Sequence, residues 1–232
     1  MAGFGKYFGF TLAEVLITLG IIGIVAAMTL PSLLYTQKKK ETVTRLQKAI
    51  ATLNEAHKLS YNELGEPSFE KTTTMDSKEY FDTYWAPYLK ITQYCQQPRE
   101  CGYSTSTPFY RASGNASGWY IVEPRLRTTF MTTEGFVYTI FQATWKNDGG
   151  GEKQNKSEIL VDLNGAKPPN RFGTDVFWLT RSEENDGAIY PYGMGLSDRE
   201  IDKDCSTTGE GLTCAEKIKR AGWKIVPGYP FY

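Results

Sequence analysis

From position 15 to position 37 the chain runs for 23 residues, VLITLGIIGIVAAMTLPSLLYTQ, without one charged side chain. A bilayer core takes about 20 apolar residues at helical rise, so this run is long enough to span a membrane. Beyond it, Val43, Leu46, Ile50, Leu53, His57, Ser60 and Leu64 recur at steps of three and four. That spacing is one stripe of an α-helix, with Lys48, Glu55, Lys58 and Glu63 largely on the other faces. Together the two stretches predict a single helix over about 10–64. Its length would be roughly 80 Å, far more than a compact domain needs. Pro31 predicts a kink or local unwinding around 28–31, helped by Gly20 and Gly23. Gly65 and then Pro67 end the helix.

Charge divides the chain in the same way. Residues 1–64 hold seven Lys or Arg against four Glu, and the remainder holds 19 basic against 22 acidic residues. The whole balances at zero, which argues against bulk nucleic-acid binding, a function that needs surplus cations, and against wide-scale disorder. After Gly65 the texture changes to short aromatic runs separated by Gly, Asn, Asp and Pro. Residues 76–91 read as a short helix ending near Pro87, with Asp76 or Ser77 as N-cap and Glu79 placed for a capping box with Asp76. Strands are expected at 126–132 and 136–145 around the turn Thr133-Glu134-Gly135, at 158–163, at 175–180, and at 188–192 as an edge limited by Pro191. No helix-length crossover separates them, so an antiparallel sheet is expected. The polar segment around Gly149, Gly150 and Gly151 reads as an exposed loop. The fold class is therefore α+β: a long N-terminal helix on a C-terminal antiparallel head, divided as 1–9, 10–64 and 65–232.

Glu14 stands at the edge of the apolar run, after Phe10, Thr11, Leu12 and Ala13. A carboxylate at that depth costs a few kcal/mol unless partnered or held in the headgroup layer, which makes a functional role the default reading. A cut after Gly9 would supply a cation, because the new α-amino group of Phe10 has a pKa near 8. In an array of parallel helices a neighbour's amine can be brought level with the acid, and the pair would set axial register.

The run Gly9-Phe10-Thr11-Leu12-Ala13-Glu14-Val15-Leu16, followed by ITLGIIGIVAAMTLPSLL, resembles the N-terminal signal of type IV pilins and type II secretion pseudopilins. The resemblance covers about the first 35 residues closely and the head only loosely. It implies cleavage between Gly9 and Phe10 by prepilin peptidase and N-methylation of Phe10. It further implies a single-pass inner-membrane precursor with a periplasmic or extracellular head, then extraction by membrane assembly machinery into a filament or onto the cell surface. Other pilin subunits would be the partners, packed through residues 10–64, with Glu14 and Pro31 as assembly residues. A partly unwound helix near Pro31 and a four-stranded antiparallel sheet also belong to that family pattern. Major or minor pilin, type II secretion pseudopilin and DNA-uptake pseudopilin share the motif. The retained Glu14 disfavours a tip subunit, and a large, disulfide-bearing head leans toward a pilin or minor subunit.

Two other readings compete. Val25-Ala26-Ala27 could serve as an ordinary secretory cleavage site, but that leaves Glu14 unexplained and discards half of a continuous helix. A membrane-anchored binding protein that never polymerises would keep the anchor without needing Glu14. Topology is contested as well: Lys38, Lys39 and Lys40 follow the apolar run while only Lys6 and the amino terminus precede it, a count that favours a cytoplasmic head.

The four cysteines fall as Cys95, Cys101, Cys205 and Cys214, which three pairings satisfy. Local pairing, Cys95 with Cys101 and Cys205 with Cys214, would close two short loops, and an even count fits an oxidising compartment. Neither spacing is that of a zinc knuckle. Asp162, Asn164 and Asp175 beside glycine turns, and Asp202 with Asp204, offer oxygen ligands to calcium, against the plainer reading that they cap turns. No cofactor is otherwise expected. His57 reads as helix packing and Glu183-Glu184 as a solvated turn. No catalytic triad or phosphate-binding loop is present, so an enzyme is not expected. Tyr80, Phe81, Tyr84, Trp85, Tyr88, Phe136, Tyr138, Phe141, Phe177 and Trp178 read as core. The aromatics of 229–232 are expected to be exposed and free to touch neighbours.

Overall fold

A computed structural model describes residues 9, 11–65, 76–119, 121–122, 127–145, 154–182 and 187–231. Helix α1 (Leu12–Leu64) is 53 residues long and unbroken. At 1.5 Å per residue it extends about 80 Å. Gly65 closes it at φ 75°, donating its amide to the Tyr61 carbonyl. Pro31 lies inside the helix, and the local unwinding expected around it is absent: the helical assignment runs straight through. Proline removes one amide donor and leaves the rest of the ladder in place. On either side, Thr29, Ser32 and Thr36 donate their hydroxyls to the carbonyls of Val25, Thr29 and Ser32.

Burial on α1 starts at Thr42 and follows one stripe: Thr42, Val43, Leu46, Ala49, Leu53, Ala56 and Ser60. The expected stripe was centred slightly to one side, since Ile50 and His57 are half-buried and Leu64 is exposed. Ala49 and Ala56 take the centre because their small side chains let the sheet approach the helix backbone. The Tyr138 hydroxyl reaches the Ala49 carbonyl at 3.4 Å. His57 packs among rings, with Tyr61 and Trp85 at centroid distances of 6.4 and 6.5 Å.

Helix α2 (Ser77–Tyr84) is capped by Asp76, whose carboxylate accepts from the Lys78 amide two residues on rather than from Glu79. A 3-10 turn, Ala86–Tyr88, takes up Pro87, so the α-helix stops earlier than expected and Ile91 opens a strand instead of closing a helix. The sheet is a six-stranded antiparallel meander in chain order: β1 (Ile91–Tyr94), β2 (Arg127–Thr132), β3 (Val137–Trp145), β4 (Gln154–Asp162), β5 (Val176–Ser182) and β6 (Ile189–Pro191). It has two more strands than the family pattern implies. The β2–β3 turn is the expected one, with Gly135 at φ 75° donating to the Thr132 carbonyl. Pro191 sits on the edge strand, where a missing donor is tolerated. Leu126, Glu183, Glu184, the glycine run 149–151, Pro67 and Tyr232 lie outside the described residues.

Side chains alternate across the strands, and both faces are covered. Tyr138 and Ile140 of β3, Ile159 and Val161 of β4, and Phe177 and Leu179 of β5 face α1 and α2 in one core. Val137, Phe141, Leu160, Val176 and Trp178 face a second core, roofed by the irregular segment that contributes Tyr103, Phe109 and Ile121. Of the ten aromatics read as core, only Tyr84 and Tyr88 are merely half-buried. Two short C-terminal helices, α3 (Asp198–Asp204) and α4 (Cys214–Arg220), complete the head, with Ala215 and Ile218 of α4 entering the first core. Tyr229 departs from expectation. It is 3 % exposed and donates its hydroxyl to the Gly173 carbonyl at 2.6 Å, so it closes the head rather than presenting a contact.

Candidate functional site

Among the described residues the lower half of α1 is left largely uncovered, with only its last turns reaching the level of the head. Every described residue before Thr42 is exposed or partly so, and Leu12, Leu16, Ile17, Ile22, Met28, Leu33 and Leu34 are each more than 60 % exposed. It is the single described helix long and apolar enough to cross a membrane. Large side chains at this exposure are not stable in water as a contiguous patch.

At its N-terminal end, Thr11 is the N-cap and Glu14 the third helical residue, and they form a reciprocal capping box. The Glu14 carboxylate accepts from the Thr11 amide and the Thr11 hydroxyl, both at 2.8 Å, while the Glu14 amide donates to the Thr11 hydroxyl at 3.2 Å. The acid is thus bonded within its own chain and fixed at the helix N-terminus, where the helix dipole favours a negative charge. Thr11-x-x-Glu14 is a capping-box pattern legible in the sequence, and reading Glu14 only as a membrane misfit passed over it. Gly9 is exposed just before this box, and Phe10 lies outside the described residues.

Side chains of the upper half of α1 also tie it to the head through polar contacts. The Arg45 guanidinium donates to the Leu163 and Glu134 carbonyls and lies over the Phe136 ring, 4.9 Å from its centroid. Lys48 pairs with Glu134 at 3.6 Å. Asn54 donates its amide to the Ile189 carbonyl at 3.0 Å and accepts from the Ile189 amide at 2.9 Å, behaving as a further strand against edge strand β6.

The cysteines are joined as Cys95–Cys101 and Cys205–Cys214. The first bridge lies in the second core and the second joins the end of α3 to the start of α4. Asp162, Asn164 and Asp175 do come together; the two carboxylates receive protein donors, while the Asn164 Oδ1 is buried without a hydrogen-bond partner among the described residues. Asp162 accepts from the Tyr103 hydroxyl at 2.7 Å and from the Asn164 amide. Asp175 accepts from the Asn164 side chain and from the amides of Asn170 and Arg171. Burial pushes both carboxyls upward, Asp162 well above the usual carboxylate range, and burial beside Asp162 pushes the Tyr103 hydroxyl upward too. The trio binds the β4–β5 connection to the roof segment. Asp204 accepts from the amide and hydroxyl of Thr213, and Asp202 pairs with Lys217 at 2.9 Å. Among the described residues no three His, Cys, Asp or Glu side chains are grouped to hold a metal ion.

Residues 5–30 match the family model of the prokaryotic N-terminal methylation motif. The chain carries the type IV pilin and pseudopilin signature. The matched span contains Gly9, the Thr11–Glu14 capping box and most of the uncovered apolar helix, and it continues past Val25-Ala26-Ala27. The motif falls on the apolar half of α1, the part of the helix long and apolar enough to cross a membrane. No curated protein and no solved structure matches the chain.

Proposed function

We propose that this chain is the structural subunit of a type IV pilus-like filament, cleaved by prepilin peptidase between Gly9 and Phe10 and methylated on Phe10. The observation that carries the reading is a helix divided in two: one stripe of its upper half is buried against its own head, while its lower half, headed by Glu14 and matched over much of its length by the methylation motif, exposes its large apolar side chains. Neighbouring copies would cover that surface, with a neighbour's Phe10 amine offered to Glu14. Residues 10–64 act as the assembly element and 65–232 as the exported head. The two disulfides support a head on the oxidising side of the membrane.

The test is a shearing experiment on cells producing the wild-type protein or Glu14→Ala. Wild-type protein is expected in the sheared filament fraction with an N-terminus at methylated Phe10, and Glu14→Ala at equal cellular level is expected to fall at least ten-fold in that fraction. Equal release of both proteins would favour a non-polymerising anchored binding protein, and an N-terminus at Met28 would remove the filament reading altogether.

A further inference from the structure

The charge-free run of α1 spans about 34 Å at helical rise, against a hydrocarbon thickness of about 30 Å. With Glu14 at one face of the bilayer, Tyr35 and Lys38 therefore emerge at the other. The head reaches down to this level. Tyr35 borders Pro169, Arg171 and Phe231 of the head, and Lys38 forms one wall of a 490 Å³ cleft whose other wall carries Lys167 and Pro168. Lys39 lies over the Tyr35 ring, 4.5 Å from its centroid, an aromatic and a lysine paired at the depth where both favour a membrane interface.

Three acids also line the cleft, so its charge depends on which groups are already engaged. Asp175 is held by three nitrogen donors, Glu134 pairs with Lys48, and Arg45 is spent on two carbonyls. That leaves Lys38 and Lys167, with Glu41, among the charged groups lining the cleft. Both lysines are exposed, and neither has a carboxylate partner among the described residues. Lys39 and Lys40 add positive charge on the same rung of the helix.

Resting on the membrane-anchored reading, we propose that this cleft seats the phosphate of an anionic phospholipid headgroup from the head-side leaflet, held between Lys38 and Lys167. The basic cluster that runs against the usual charge asymmetry then has a use on the head side. It fixes the head on the membrane before the subunit leaves it, and extraction must strip the lipid away.

The full-length chain would be placed in nanodiscs of mixed phosphatidylcholine and phosphatidylglycerol, and the lipids that stay bound on release counted by native mass spectrometry. Each lysine near an anionic surface is worth about five-fold in partition. The expected result is about 25-fold enrichment of phosphatidylglycerol, brought to near parity by Lys38→Gln with Lys167→Gln, lost at about 0.5 M salt, and unaffected by millimolar inorganic phosphate. Equal retention of both lipids would overturn the proposal, as would enrichment unchanged in the double variant, or displacement by free phosphate, which would make the cleft a soluble-anion site. Unchanged thermal unfolding of the variant shows that it is folded. A chain that inserts into neither lipid sinks the anchored reading itself, whereas one that inserts without preference sinks only the headgroup site.

Discussion

Replacing Asn54 by alanine removes the one side chain that completes the β6 edge. Two backbone groups of Ile189, a donor at 2.9 Å and an acceptor at 3.0 Å, would lose their partner in a half-buried seam between helix and sheet. An unsatisfied group of this kind costs about 1–3 kcal/mol, and the lower part of that range applies because the seam admits some water; the pair then amounts to roughly 2–4 kcal/mol. For a chain of this size about 1 kcal/mol moves Tm by 2–4 °C, so Asn54→Ala should lower it by roughly 4–16 °C. Asn54→Asp keeps the acceptor for the Ile189 amide and loses the donor to the carbonyl, so about half the shift is expected. Near-ultraviolet circular dichroism of the full chain in detergent follows the packing of the buried Trp85 and Trp178 directly. A shift below about 2 °C for Asn54→Ala would mean that the helix does not seal the sheet edge through this side chain.

Thr11→Val keeps the shape of the N-cap and removes the hydroxyl, so the first turn of α1 should lose about 1 kcal/mol, read as faster amide exchange at Ala13, Glu14 and Val15 in micelles with the head's melting unchanged. Serine at both Cys205 and Cys214 opens a short loop at the α3–α4 junction and should cost roughly 2–3 kcal/mol in denaturant unfolding, with reductant giving no further loss at that bridge. Asp162 has its folded pKa raised above the unfolded value near 4, so the folded state holds the proton more tightly. The stability this contributes is full below the unfolded pKa and is lost as pH rises through the folded one; Asp175 acts in the same direction. Asp162→Asn, still able to accept from Tyr103, should flatten the fall in Tm between about pH 4 and neutrality. An unchanged slope would place the pH dependence elsewhere.

What could be read in advance followed from how long each signal persists. The 23 uncharged residues and the seven-member stripe are long patterns, and α1 came out within two residues of the expected ends. Strands β2 to β6 were legible because β-rich runs stop at turn residues such as Asn164-Gly165 and Thr133-Glu134-Gly135. Strand β1 has four residues, ITQY, right after a proline turn, too few to show alternation, and its pairing with β2 carries a register shift. Helices α3 and α4 have seven residues each and little periodicity, although Ser197-x-x-Glu200 spells a capping box that the structure uses. The roof of the second core is irregular backbone, held by Cys95–Cys101 and by Tyr103 on Asp162, which no local pattern announces. At the candidate site the chemistry is legible residue by residue, but the partners of Glu14 are an amide and a hydroxyl three residues away, which no opposite charge announces.

That partner changes the energetic question at the base of the filament reading. A carboxylate stranded in lipid would need any cation at any cost, and assembly would be close to irreversible. Glu14 is not stranded: its cap supplies two donors, an arrangement worth about 1 kcal/mol at a helix N-terminus. A neighbour's amine must therefore compete with Thr11, and a hydrogen bond to a charged group contributes about 1.5–3 kcal/mol, so the exchange favours the neighbour by only a small margin. The rest of the drive has to come from the uncovered apolar surface of α1, which a lipid bilayer and a bundle of like helices satisfy almost equally well. On the filament reading, a subunit balanced in this way waits in the membrane, joins a filament and returns, and Thr11, which strengthens the waiting state, is the residue whose loss should shift that balance toward assembly.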